Sequence, residues 1–102
     1  MYKITLNFDF TSPYSSGKNV SDYNTLVIRS EMTNNNLGYP INIVVKTSLN
    51  NSYSYDIMPT TVLGNYSMDI SNIPLNDRTI SSITFNLLTE NNLFIDSIKA
   101  TK

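Results

Sequence analysis

Hydrophobic and polar residues alternate along most of this chain, which is the pattern of β-strands that bury one face. The N-terminal segment shows the alternation clearly, because Tyr2, Ile4, Leu6, Phe8 and Phe10 are separated by single polar residues. A helix would instead repeat its apolar positions every three or four residues. The pattern therefore predicts that the chain begins with a strand that has one buried side.

Further segments with this alternation follow, separated by short runs rich in Asn, Ser, Gly and Pro. They lie at residues 26–31, 41–48, 53–57, 66–71, 83–87 and 93–100. Seven or eight short strands spaced roughly 8–15 residues apart are typical of a sandwich or a barrel. The pattern predicts a single all-β domain over residues 1–102, without an amphipathic helix.

Two local features refine the predicted strands. Asn50 and Asn51 separate two strand segments and predict a tight hairpin turn, because Asn tolerates the backbone angles that such turns require. Ile95 and Ile98 are three residues apart, so a regular strand would place them on opposite faces. A β-bulge at Asp96-Ser97 would return both isoleucines to the core.

Composition narrows the function classes. The chain has 102 residues, 40% of them hydrophobic and 15% charged, a net charge of −1, and neither Cys nor His. These absences exclude a disulfide framework, a thiolate zinc site, a Cys nucleophile and a Ser-His triad. The near-neutral charge argues against nucleic acid as a partner, and no apolar run is long enough to insert into a membrane as a helix. We expect a non-enzyme.

The segment from Ile80 to Lys102, ISSITFNLLTENNLFIDSIKATK, carries a family resemblance. It resembles the last two strands of carbohydrate-binding modules with the galactose-binding-like jelly-roll fold. The matching residues are Ile80, Ile83 and Phe85 in the first strand and Phe94, Ile95, Asp96 and Ile98 in the second. The resemblance implies an antiparallel jelly-roll β-sandwich of about eight strands. It also implies a non-catalytic module in an extracellular, bacterial setting, tethered to other domains of a larger secreted protein.

The same resemblance implies a metal ligand. In that family the Asp of the final strand often helps to bind a structural Ca²⁺, which here would be Asp96, with Asp9 as an acid from near the N-terminus. Carboxylate oxygens suit Ca²⁺, which takes six to eight oxygen ligands. The alternative is that the Asp96 carboxylate hydrogen-bonds the backbone of the bulge.

Aromatic residues are the first candidates for sugar contacts. Tyr53 and Tyr55 share one face of a predicted strand, and a Tyr ring can stack on the C–H face of a sugar while its hydroxyl binds a polar edge. The alternative is that both rings pack in the core beside Ile57, which lies on the same face.

Long polar side chains are the second candidates. Arg29 and Glu31 share a strand face, and Asn42, Lys46 and Asn86 would join them from neighbouring strands. Charged and amide groups suit sugar hydroxyls, because each hydroxyl both donates and accepts a hydrogen bond. The alternative is an ordinary solvated sheet face with a cross-strand ion pair.

These observations predict a module that binds a polysaccharide or another glycan on a sheet face or in a groove at a loop edge. The alternative function is structural: a phage tail, capsid or surface-adhesion domain that acts through protein–protein contacts. Val27, Val44 and Leu88 are the candidates for an apolar patch that such a domain would present.

Overall fold

The computed structural model describes residues 2–7, 18–32, 40–87 and 93–102. Within them the chain forms eight strands: β1 (Tyr2–Asn7), β2 (Lys18–Asn19), β3 (Thr25–Met32), β4 (Ile41–Thr47), β5 (Ser52–Ile57), β6 (Gly64–Asp69), β7 (Thr79–Leu87) and β8 (Leu93–Thr101). One turn of 3-10 helix, Leu75–Asp77, lies between β6 and β7. Across these ranges, no helix is long and apolar enough to span a membrane.

The strands form two antiparallel sheets that pack against each other. The larger sheet has the order β1-β7-β4-β5, and the two-residue β2 also pairs with β7. The smaller sheet has the order β6-β3-β8. Between consecutive described strands, the chain crosses from one sheet to the other at five of the seven connections. Such repeated crossing is typical of jelly-roll sandwiches and unlike a meander. The predicted all-β antiparallel sandwich is confirmed.

The core lies between the sheets and follows the predicted alternation. Burial alternates residue by residue along both β3 and β4. Ile28 from the smaller sheet and Ile43, Val45 and Phe85 from the larger one are each 0% exposed. Burying one such side chain contributes about 1.5–3 kcal/mol, so these layers supply most of the stabilisation of the fold.

The first predicted strand is described only in part. The strand β1 spans Tyr2–Asn7, and its polar residues Lys3 and Thr5 are exposed, as the alternation predicts. Phe8 and Phe10 lie outside the described residues.

The predicted bulge in the last strand is confirmed. Arg29 lies opposite Ser97 and Ser30 lies opposite Ile95, so Asp96 is the extra residue without a partner. Ile95 and Ile98 consequently both pack against the core. A bulge inserts one residue into one strand and thereby shifts the side-chain alternation by one position.

A second bulge occurs in β7, where the same residue spacing recurs. Lys46 lies opposite Ser82 and Thr47 lies opposite Ile80, so Ser81 is the extra residue. The Ser81 hydroxyl lies 3.1 Å from the carbonyl oxygen of Lys46 and 3.3 Å from that of Thr47, and it donates to them. Ile80 and Ile83, three residues apart, are both buried as a result.

The predicted hairpin joins β4 to β5. The Thr47 N–H donates to the carbonyl of Asn51 at 2.9 Å, and the Asn50 N–H donates to the carbonyl of Thr47 at 3.0 Å. Asn50 has a φ of 68°, the left-handed conformation that Asn tolerates better than most residues. The loop therefore consists of three residues closed by Thr47 and Asn51, a common hairpin form.

Arg78 holds the connection between β6 and β7 in place. Its side chain is buried, and its guanidinium donates to the carbonyls of Ile73 at 2.8 Å, Tyr23 at 2.8 Å and Ser71 at 3.2 Å. The Arg78 carbonyl accepts a hydrogen bond from the N–H of Val20 at 2.7 Å. One side chain thus ties residues 71–78 to the segment that leads into β3. The planar guanidinium suits this role, because its several N–H groups can donate to different carbonyls at the same time.

We expect Arg78→Met to lower the free energy of unfolding by roughly 2–4 kcal/mol, because one buried carbonyl, that of Ile73, and two partly buried ones lose their donor. Urea denaturation followed by circular dichroism measures this change. Arg29→Met is the matched control, because the Arg29 side chain is 42% exposed and bonded only to surface groups. The control should cost less than about 1 kcal/mol. Equal losses in the two variants would show that Arg78 does not hold the connection.

Candidate functional site

The outer side of the larger sheet carries a regular array of polar side chains, which we call the polar face. It consists of Lys3 and Thr5 on β1, Ser82, Thr84 and Asn86 on β7, Asn42, Val44 and Lys46 on β4, and Ser52, Ser54 and Asp56 on β5. Only three of these eleven residues are charged. Alternation places them outward because their strand neighbours, such as Ile43, Val45 and Phe85, fill the core.

One cross-strand row of the polar face has two amide side chains at its centre, which we call the amide row. Lys3, Asn86, Asn42 and Asp56 lie opposite one another in successive strands. The Asn86 Nδ2 donates to Asn42 Oδ1 at 3.0 Å, and Asn42 Nδ2 lies 3.4 Å from Asp56 Oδ1. A carboxylate can only accept, so Asp56 orients the Asn42 amide, which in turn orients that of Asn86. The Asn86 Oδ1 remains as a buried acceptor without a hydrogen-bond partner among the described residues.

A second row lies alongside the amide row and carries hydroxyls. Thr5, Thr84, Val44 and Ser54 are opposite one another, and the Thr5 and Thr84 hydroxyl oxygens are 3.1 Å apart. Neighbouring strands are about 4.8 Å apart, so the row presents donors and acceptors at regular intervals with one apolar side chain, Val44, among them. The surface suits a ligand with many hydroxyl groups.

The structure does not bring together the five polar residues that the sequence placed on one face. Asn42, Lys46 and Asn86 belong to the polar face, but Arg29 and Glu31 lie on β3 in the smaller sheet. The outer faces of two stacked sheets point in opposite directions, so the two groups lie on opposite sides of the sandwich. The expectation of one shared surface is therefore corrected. Alternation shows which side of a strand a residue occupies, but it does not show which sheet the strand joins.

Arg29 is engaged with neighbours on the outer face of the smaller sheet. Its Nε lies 3.4 Å from Asp96 Oδ2, and its Nη1 lies 3.4 Å from Asn65 Oδ1. The Arg29 and Asp96 side chains are 42% and 45% exposed, so this ion pair adds less than about 1 kcal/mol to stability. A cross-strand ion pair on a solvated face was the alternative for Arg29, and its pairing with Asp96 on the neighbouring strand β8 matches that alternative.

Tyr53 and Tyr55 face inward and pack against the core, and so they do not form an exposed stacking platform. Their hydroxyls are also engaged: Tyr53 donates to Asp77 Oδ2 and Tyr55 donates to Asn72 Oδ1, each at 2.9 Å. Burial, reinforced by the Asp77 carboxylate, raises the pKa of Tyr53, and burial raises the pKa of Tyr55. The alternative prediction, that these rings pack in the core, therefore matches their positions.

Of the two predicted metal ligands, the structure describes only Asp96. Asp96 lies on the outer face beside Arg29, and Asp9 lies outside the described residues. In the described ranges, no three acidic, His or Cys side chains lie close enough together to hold a metal ion. Ca²⁺ takes six to eight oxygen ligands, so a site at Asp96 would need oxygens beyond those of the described acidic side chains. Calcium binding remains a prediction.

A polar cluster around the buried Asp77 was missed from the sequence. Asp77 ends the 3-10 turn, and its Oδ2 accepts hydrogen bonds from Asn51 Nδ2 and the Tyr53 hydroxyl, both at 2.9 Å. The neighbouring Thr47 hydroxyl, followed by Asn51 and Tyr53, lowers the pKa of Asp77 despite its burial. The Asp77 Oδ1 has no hydrogen-bond partner in the described part of the chain. The residues come from β4, the hairpin after it, β5 and the segment before β7, so no local pattern reveals them.

The Asp77 cluster has the electrostatics of a structural group. A carboxyl that serves as a general acid needs a raised pKa, whereas the pKa of Asp77 is lowered. Its hydrogen bonds connect the hairpin between β4 and β5 to the 3-10 turn. The cluster therefore positions that end of the sandwich.

Comparison of the chain with protein-family models, with curated proteins and with solved structures finds no match. A functional argument therefore depends on the side chains that the described surfaces present.

We expect Asp77→Asn to destabilise the protein at pH 7 and to differ less from the wild type as the pH falls. The folded-state pKa of Asp77 lies below its ordinary value, so its stabilisation is present above about pH 4 and is lost on acidification through the folded pKa. Urea denaturation at pH 7, 5 and 3 measures the difference between variant and wild type at each pH.

Asp22→Asn is the control for this experiment, because the Asp22 side chain is exposed and is not one of the core residues. It should leave the urea midpoint unchanged at every pH. Tyr53→Phe removes one hydrogen-bond donor that lowers the pKa of Asp77. The stabilisation by Asp77 should therefore be lost at a higher pH in this variant than in the wild type. If the free energies of unfolding of Asp77→Asn and the wild type differed by the same amount from pH 7 to 3, the ionised Asp77 carboxylate would not be the stabilising group.

Proposed function

We propose that the protein is a non-catalytic carbohydrate-binding module whose polar face binds a polysaccharide or another glycan. The observation that carries the proposal is the pair of adjacent cross-strand rows, one of amides and one of hydroxyls, on a face with few charges. The sequence resemblance in residues 80–102 supports the same class of ligand.

Recognition would depend on hydrogen bonds in both directions. Thr84 and Ser54 can donate or accept, and a sugar hydroxyl needs partners of both kinds. Val44, at the centre of the face, offers a small apolar contact for sugar C–H groups. Because Tyr53 and Tyr55 pack inward, these two rings do not stack on the sugar in this mechanism. A flat site of this kind binds weakly by itself and gains strength through tethering. This fits a module of a larger secreted, extracellular protein, which the resemblance implies.

A structural role through protein–protein contacts is the second candidate. Leu49 and Leu75 are 60% and 67% exposed and lie on the two loops that the Asn51–Asp77 hydrogen bond ties together. Exposed apolar side chains at one tip of a sandwich favour a protein partner. The patch suggested by the sequence is not assembled, because Val27 and Val44 lie on different sheets. Leu88 is outside the described residues.

We expect retardation in affinity electrophoresis on at least one gel of a polysaccharide panel, and we expect Thr84→Lys to weaken it about tenfold or more. The long charged side chain would cover the hydroxyl row and displace the ligand. Thermal unfolding of each variant shows that the fold is retained. A parallel panel with EDTA tests the Ca²⁺ prediction, because loss of binding in EDTA would indicate a required cation.

Ser67→Lys is the matched control, because Ser67 is exposed on β6 at the outer side of the smaller sheet. It should bind as the wild type does. Loss of binding in Ser67→Lys alone would move the site to the face of Arg29 and Glu31. No retardation of the wild type on any glycan would contradict carbohydrate binding and favour the structural role.

A further inference from the structure

The hydrogen-bond pattern of the hairpin shows which backbone groups of the edge strand β5 are left unpaired. Thr47 and Asn51 form the hydrogen-bonded pair that closes the hairpin. Hydrogen-bonded and non-hydrogen-bonded pairs alternate in an antiparallel ladder. Tyr53 and Tyr55 therefore bond to β4, and the N–H and C=O groups of Ser52, Ser54 and Asp56 point away from the sheet.

This edge lacks the usual protection against strand pairing. Within the described residues β5 has no strand on its other side, and it contains neither a proline, a bulge nor a lysine. By contrast, the edge strand β8 carries the bulge at Asp96 and an exposed lysine, Lys99. Both features discourage edge-to-edge pairing. By these features β5 is more open than β8 to pairing with another strand.

We propose that β5 pairs antiparallel with β5 of a second copy of this chain, around a two-fold axis at Ser54. In this register Ser54 lies opposite the partner's Ser54, and Ser52 lies opposite the partner's Asp56. All the outward backbone groups of the three residues Ser52, Ser54 and Asp56 are then satisfied. The larger sheets of the two copies become one continuous sheet.

Charge complementarity selects this partner and this register. Asp56 and Lys46 belong to no ion pair in the described part of the chain. Because Ser52 lies opposite Lys46 within one copy, the proposed pairing puts Asp56, the partner's Ser52 and the partner's Lys46 in one outward row. The Asp56 and Lys46 backbones are then two strands, or about 10 Å, apart, a span that their side chains bridge across a serine. The two-fold axis produces this contact twice.

Other registers are less favourable. A two-fold axis at Asp56 places two like charges opposite each other, which is destabilising. An axis at Ser52 pairs fewer residues, because the chain turns away at Asn50. With the axis at Ser54, Tyr53 also lies opposite the partner's Tyr55, and such cross-strand aromatic pairs are favourable.

Pairing would join the polar faces of both copies into one surface. Two weak sites on one rigid sheet bind a repeating polymer more tightly than either site alone. The dimer does not depend on glycan binding, so a monomer that binds glycan would contradict only the dimer.

Sedimentation equilibrium of the full chain at low salt tests the dimer. We expect the wild type to dimerise and Ser54→Pro to raise the dimer dissociation constant about tenfold or more, because proline removes the outward N–H. That N–H makes no bond to β4, so the monomer should keep its fold, as circular dichroism would show. Ser54→Val keeps the N–H and should dimerise as the wild type does. A wild type that stays monomeric at millimolar concentration would overturn the proposal.

A charge exchange tests the register even if Ser54→Pro does not fold. Asp56→Lys and Lys46→Asp should each weaken the dimer several-fold at low salt, because each places like charges in the shared row. The double variant should restore dimerisation to within about twofold of the wild type. Failure of the double variant to recover, with the wild type dimeric, would overturn this register.

Discussion

Central strands such as β3 and β4 bury every second side chain between the two sheets, and the rest of the structure depends on this alternation staying in phase. A strand that slipped by one residue would turn its apolar side outward. The chain meets this constraint in two places by inserting a residue, Asp96 in β8 and Ser81 in β7. In both places two isoleucines three residues apart return to the core. The Ser81 hydroxyl also satisfies carbonyls of β4 next to its bulge, so that distortion is stabilised locally.

Two adjacent residues of opposite charge secure the connection before β7 without pairing with each other. Arg78 binds backbone carbonyls, whereas Asp77 accepts from side chains of the β4–β5 hairpin and β5. Buried charges are tolerated when hydrogen bonds replace their lost hydration. Together the two residues join the hairpin, the 3-10 turn and the segment before β3. This polar junction lies beside buried apolar residues of the same connection, such as Ile70 and Ile73.

Both proposed binding surfaces, the polar face and the edge strand β5, belong to the larger sheet. Asp56 belongs to both: it orients the amides of Asn42 and Asn86, and it lies on the edge strand. A face with few charges and many hydroxyl and amide groups suits an uncharged, hydroxyl-rich ligand better than a nucleic acid. If β5 pairs with a second copy, the same row of side chains would cross from one copy to the other.

The sequence alone determined the side on which residues lie in strands such as β3 and β4, the hairpin at Asn50 and the bulge at Asp96. These properties follow from the period of the β-strand and from turn preferences, which act between near neighbours in the chain. The equivalent spacing of Ile80 and Ile83 carried the same signal for the second bulge.

Only the tertiary structure decided which strands share a sheet. It separated Arg29 and Glu31 from Asn42 and Asn86, and it placed Tyr53 and Tyr55 against the core. It also brought Asp77 to Asn51 and Arg78 to Tyr23, residues far apart in the chain. Strand pairing and buried hydrogen bonds depend on contacts between distant segments, and no local pattern of side chains specifies those contacts.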